Sequence, residues 1–129
     1  MFTYKNWEYF CRELNIIHQK SVGAKNLIIN RKNDFIIFKH DIETNPKKAL
    51  KIAKIEAKYN HYGTFFCQHY LLKKKNNIEI LKEIQNLGHE VSYHHDVMNA
   101  NHGNIKKADI DFKMKFADFD LFGFNTSTF

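Results

Sequence analysis

Three short apolar runs, "DFIIFKH" over 34–40, "TFFCQH" over 64–69 and "HEVSYH" over 89–94, recur along the chain with amphipathic segments between them. This alternation constrains the fold more than any other feature. A continuous apolar run suits a strand buried on both faces, and strand-then-helix units with short connections imply a parallel sheet, right-handed crossovers and covering helices. The segments between the runs carry helical spacing. Trp7, Phe10, Cys11, Leu14 and Ile17 make a first stripe, and Leu50, Ala53 and Ala57 lie opposite Lys47, Lys51, Lys54 and Lys58. Ile80, Leu81, Ile84 and Leu87 make another, and Ile105, Ala108, Phe112, Phe116, Phe119 and Phe122 form the longest.

Local signals set the boundaries. "TNP" at 44–46 reads as a helix start, with Thr44 or Asn45 capping and Pro46 in the first turn of a helix that runs to about Tyr59. Gly88 suits the left-handed position that ends a helix. "KKKNN" at 73–77 reads as a solvated loop, "LIIN" at 27–30 as a further apolar piece, and "FNTSTF" at 124–129 as a last strand. The expectation is an α/β fold, a single domain over residues 1–129 whose parallel sheet is open or part of a barrel. With about four strands, and an end inside what reads as a core strand, the domain is expected to be incomplete.

The 129 residues, 43% of them hydrophobic, suit one core. No run of about 18 apolar residues suggests a transmembrane segment, and the N-terminus lacks the basic-then-apolar order of a secretory signal, so a cytoplasmic location is expected. Cys11 and Cys67 lie outside any CxxC pattern and read as buried small apolar groups. A net charge of +6 and a pI near 9.3 raise nucleic acid, an anionic membrane or an acidic glycan as partners. The lysines of 47–58 fall on the wet face of a helix, so nucleic acid is not favoured.

In parallel α/β folds, loops leaving the carboxyl ends of the strands gather on one edge, where ligands bind. The first run exits into His40, Asp41 and Glu43, the second into Gln68, His69 and Tyr70, and the third into His94, His95 and Asp96. Such a set invites a divalent metal, since zinc takes imidazole nitrogen and carboxylate oxygen and lowers the pKa of its water to about 7. Asp41 and Glu43 fit a division in which one carboxylate binds the metal and the other acts as base. His40 is expected to hydrogen-bond within its loop, His89 to be exposed on the opposite edge, and His18 and His61 to have no role. His102 has no fixed place.

Three stretches also resemble the polysaccharide deacetylases and their divergent relatives. "FIIFKHDIE" is similar to the first family motif, particularly in the branch written H-D-V-D, "YNHYGTFFC" to the second strand, and "LGHEVSYHHD" to the opening of the second motif. The resemblance covers residues 34–96. It implies a distorted (β/α) barrel of about seven strands, a catalytic base at Asp41, and metal ligands at Glu43 and His94, with the first two roles exchangeable. It further implies hydrolysis of an N-acetyl or O-acetyl group on a carbohydrate, with zinc the expected metal. Family members carry a second histidine four residues after the first, where this chain has Met98, so His95, Asp96 and His102 are the candidates for an additional ligand. His69 and Tyr70 are candidates for substrate binding. A non-catalytic metal- or glycan-binding chain is the alternative, and a basic nucleic-acid-binding domain comes third. The oligomeric state stays open.

Overall fold

The computed structural model describes residues 2–29 and 34–129. Its elements, in order, are α1 (Tyr4–Ile16), β1 (Ser21–Val22), α2 (Lys25–Ile29), β2 (Ile36–Ile37), β3 (Lys39–Ile42), α3 (Pro46–Lys58), β4 (Thr64–Gln68), α4 (Lys75–Asn86), β5 (Glu90–His94), α5 (Val97–Ala100) and α6 (Ile105–Leu121). A 3₁₀ turn, His69–Lys73, links β4 to α4. Strand β1 pairs in parallel with β2, and β3, β4 and β5 form a second parallel sheet in that order. The α/β class and the parallel pairing are as expected. A barrel of about seven strands goes beyond them: the described residues form a two-stranded and a three-stranded sheet, without closure.

The first apolar run does not make one strand. It changes partner at Phe38: the residues before it pair with β1, and those after it pair with β4. Phe38 itself is buried with Cys11 and Leu14 of α1. The second half then continues to Ile42, so His40 and Asp41 lie within β3 rather than beyond it.

Successive side chains of a strand point to opposite faces, and here the two faces differ in chemistry. Ile42, Phe65, Cys67, Val91 and Tyr93 meet Ala49 and Ala53 of α3, Leu81 and Ile84 of α4, and Phe119 of α6 in one buried cluster. Truncating a member such as Leu81 to alanine removes about 2–5 kcal/mol of stability. The alternate residues, Asp41, Thr64, Phe66, Gln68, Glu90, Ser92 and His94, belong to the other face, called the open face below. Asp41 stands opposite Phe66 and Phe66 opposite Ser92, while Gln68 stands opposite His94.

The helix boundaries follow their local chemistry. Asn45, not Thr44, caps α3, accepting a hydrogen bond from the Lys47 N–H at 3.1 Å, and Pro46 opens the helix. The lysine-rich stretch expected as a loop supplies the end of the 3₁₀ turn and the first turn of α4, where Asn77 Nδ2 donates to the Leu71 carbonyl at 3.0 Å. Leu27–Ile29 fall in α2, and Asn30 lies outside the described residues. "FNTSTF" forms no strand, because side chains rather than a backbone ladder hold it. Phe124 is buried in the helix-side core, and Gln85 Nε2 donates to the carbonyls of Gly123 and Phe124 at 3.2 and 3.3 Å. Thr128 reaches the open face: its Oγ1 donates to Glu90 Oε1 at 2.5 Å, and its carbonyl accepts from Ser92 Oγ. No helix among the described residues is long and apolar enough to cross a membrane.

Gly88 ends α4 with φ +102, and a Cβ there would stand 2.8 Å from Tyr62 Cε1. Both the backbone conformation and the contact exclude a side chain. Gly88→Ala is expected to lower stability by about 1–3 kcal/mol, read as a reduced urea midpoint; an unchanged midpoint would show that the turn tolerates a side chain.

Candidate functional site

Asp41 and Glu43 come together. Both line a cavity of ≈ 430 Å³ between the outer edge of β3 and the start of α3, which Lys39, Asn45 and Lys48 also line. Both carboxylates are exposed. Glu43 follows Ile42, which is paired with Cys67, so its position is level with Gln68 and, one strand further, with His94. Parallel strands lie about 4.8 Å apart, which leaves about 10 Å of backbone separation between Glu43 and His94. The topology therefore delivers both to one edge, two strands apart.

His94 is half-buried and engaged by its neighbour in β4. Gln68 Nε2 lies 3.2 Å from His94 Nδ1, which makes Nδ1 the acceptor and leaves the ring proton on Nε2. Turning the Gln68 amide over would let its oxygen accept from Nδ1–H and expose a bare Nε2, the arrangement of a metal-binding histidine oriented by a carbonyl. Among the described residues no group of three or more His, Cys, Asp or Glu side chains is set to hold a metal.

The other candidates are spread out. His95 is exposed and its ring packs against Phe112 and Phe129, with centroids 5.4 and 5.9 Å away. Asp96 is exposed at the start of α5. His102 occupies the turn between α5 and α6 with φ +50. His69 turns to the helix side, where its Nε2 meets Asp118 Oδ2 at 2.6 Å, while the Tyr70 hydroxyl donates to the Glu43 carbonyl.

Three histidines given minor places by the sequence are structural. His40 reaches out of its strand, with Nε2 2.6 Å from Glu56 Oε1 of α3, instead of bonding within a loop. His61 is buried between Ser21 Oγ and the Cys11 carbonyl, 3.0 Å from each. His89, expected to be exposed, is buried: its Nε2 lies 2.9 Å from the Ala53 carbonyl, and its Nδ1 accepts the Gly63 N–H at 3.1 Å. Because Nδ1 is the acceptor, the 3.6 Å approach of Glu56 Oε2 to that atom is not a formed ion pair. Burial holds the His89 pKa below its ordinary value. The same desolvation pushes the thiols of Cys11 and Cys67 up to about 12, in keeping with two inert core cysteines.

Glu56 is the residue that the sequence reading missed. It is wholly buried, and its Oε1 also accepts from Trp7 Nε1 at 3.1 Å. A signal was present in its spacing. Ala49, Ala53 and Glu56 stand at i, i+4 and i+7, so the carboxylate falls on the apolar stripe of α3.

No family model matches the chain, and neither curated proteins nor solved structures give a match.

Two outcomes follow from the buried groups. Glu56→Ala removes one partner of a buried polar cluster and is expected to cost about 3–5 kcal/mol, measured by urea unfolding; a loss below 1 kcal/mol would exclude the cluster as a support of the fold. Since the folded-state pKa of His89 is depressed, the unfolded chain binds the extra proton first, so stability is full above the ordinary value of 6.5 and falls as pH drops below it. His89→Gln is expected to flatten that part of a stability-against-pH curve.

Proposed function

We propose that the chain is a divergent hydrolase of the polysaccharide deacetylase type, acting on an acetylated amino sugar or a related glycan, with Asp41 as the base. The observation that carries this reading is the pair Asp41 and Glu43 in one cavity at the carboxyl edge of β3, with Glu43 level with His94 across the sheet. The resemblance of "FIIFKHDIE", "YNHYGTFFC" and "LGHEVSYHHD" to the family motifs supports it. In the proposed reaction Asp41 takes a proton from water as the oxygen bonds to the acetyl carbon. The carbon–nitrogen bond then breaks and the nitrogen leaves with a proton, giving acetate and a free amine.

A divalent metal, zinc before others, belongs to the proposal through Glu43 and His94. Of the further candidates, Asp96 fits best, since it shares a cavity with Gln68 at the exit of β5, while His95 packs among aromatic rings. His69 and Tyr70 are kept as substrate contacts. A (β/α) barrel of about seven strands is the finer fold that goes with this reading, and the cytoplasm the expected compartment. A nucleic-acid role is set aside because three of the five α3 lysines have partners within the chain: Lys54 pairs with Glu83 at 2.7 Å, Lys58 with Glu8 at 2.5 Å, and Lys51 lies over the Tyr4 ring. The second reading is a non-catalytic metal- or glycan-binding protein, favoured by Met98 in the second-histidine position and by the open ligand set.

Acetate release from N-acetylated oligosaccharides, measured with zinc added, separates the two. Activity that falls about 10²- to 10⁴-fold in Asp41→Asn, and zinc binding that is lost in Glu43→Gln and in His94→Gln, support the hydrolase. Folded protein that binds zinc but releases no acetate supports the second reading, and folded protein that does neither overturns the metal in both.

A further inference from the structure

Helix α6 carries two apolar faces. On the sheet side Ala108 and Phe119 are buried, and Phe112 packs against the core beside them. Two positions from these residues, and so about 200° around the helix, stand Ile110, Met114, Ala117 and Leu121. Their spacing of i, i+4, i+7 and i+11 makes a single stripe. All four are exposed, Ile110 at 60%, Met114 at 67% and Leu121 at 82%, the last being the most exposed large apolar residue among those described. A helix that is apolar on both sides suits burial on both sides, and here only one is covered. Four lysines and four aspartates alternate in pairs along α6, so the helix is neutral in a chain of net charge +6. Neutrality with both signs present does not select an anionic bilayer or a nucleic acid. It suits a second copy of the same helix.

We propose that two copies of the chain pair through this stripe, with their α6 helices antiparallel about a two-fold axis. Charge sets the direction. Lys107, exposed one turn before Ile110, continues the stripe, and a parallel pair would press it against Lys107 of the second copy. Reversed, with Ile110 against Leu121 and Met114 against Ala117, Lys107 lies beyond the second copy's Leu121, beside the carbonyl end of that helix, where the helix dipole favours a cation. Lys113 and Asp120 stand seven residues apart on one flank of the stripe, and a two-fold axis across the helices brings like flanks together. Lys113 is then within about 3 Å, along the axis, of the level of Asp120 of the second copy. Thr126 donates twice to Asp120 Oδ1, at 3.1 and 3.0 Å, which leaves Oδ2 to accept from that lysine. On the other flank, where Asp111 and Asp118 would meet their counterparts, each is already paired, with Lys115 at 2.9 Å and with His69 at 2.6 Å. One four-residue stripe is narrower than the roughly 800 Å² per partner of a tight dimer, so the association belongs to the weak, reversible class. The proposal is independent of the hydrolase reading, since none of these residues lines the cavity of Asp41 and Glu43.

Sedimentation velocity of the full chain, from about 1 to about 500 μM, is expected to show monomers giving way to dimers with a midpoint of roughly 10–100 μM. Met114→Glu places a charge at the centre of the stripe and should weaken association at least about tenfold, with an unchanged melting temperature in dilute solution. Asp120→Lys sets two lysines against each other across the axis and should weaken the dimer about fivefold, and adding Lys113→Asp to the same chain should restore it. A parallel pair would show no such rescue. A parent chain that stays monomeric throughout the range overturns the proposal, as does a Met114→Glu chain that dimerises like the parent, or a double variant no tighter than Asp120→Lys alone. A lower melting temperature of dilute Met114→Glu would place Met114 inside the fold of one copy and overturn it too. So would a monomeric parent that binds phosphatidylcholine vesicles and loses them in Met114→Glu, which would assign the stripe to a bilayer.

Discussion

A single carboxylate joins parts of the chain that are far apart in sequence. Glu56, in α3, accepts from Trp7 of α1 and meets His40 of β3, while its second oxygen lies against Gly63, where a Cβ would come within 3.2 Å. A carboxyl group in so dry a place needs hydrogen-bonding partners, and His40 and the indole are what the surrounding elements provide. Three elements are positioned by this one requirement. With α1 and α3 held to β3, the strand's helix-side residues are committed inward, and Asp41 is turned to the other face by alternation alone.

That partition explains where chemistry can occur. On the helix side the histidines are consumed by the fold: His61 by Ser21 and a carbonyl, His89 by a carbonyl and an amide, His40 by Glu56. At the carboxyl edge Asp41 and Glu43 stay exposed, and His94 is restrained by a single glutamine. Residues tied by several buried bonds cannot change partner during a reaction. Those with one weak partner can.

The sequence showed the large features clearly because they rest on short-range rules. The three apolar runs became parallel strands, the Asn45–Pro46 pair opened a helix, and Gly88 closed one. What was illegible depended on contacts between distant elements. Nothing near Phe38 announces that the run changes partner there, since the two partners are β1 and β4. His89 looked like a surface residue at the start of a strand because the groups that take it inside, Ala53 and Gly63, lie 36 and 26 residues away. For the site, spacing delivered Asp41, Glu43 and His94 to one edge, but whether side chains meet is decided by rotamers and by Gln68, which no spacing rule addresses.

The segment after α6 crosses from one side of the sheet to the other. Phe124 is anchored among the helix-side apolar residues, and four positions later Thr128 is bonded to Glu90 and Ser92 on the open face. To do both, the chain must pass around the outer rim of β5. An uncovered rim would be a template on which another molecule's strand could align, the usual route to ordered aggregation. Here the protein shields that rim with its own chain, through side-chain hydroxyls instead of a ladder, so a competing strand would first have to draw Phe124 out of the core.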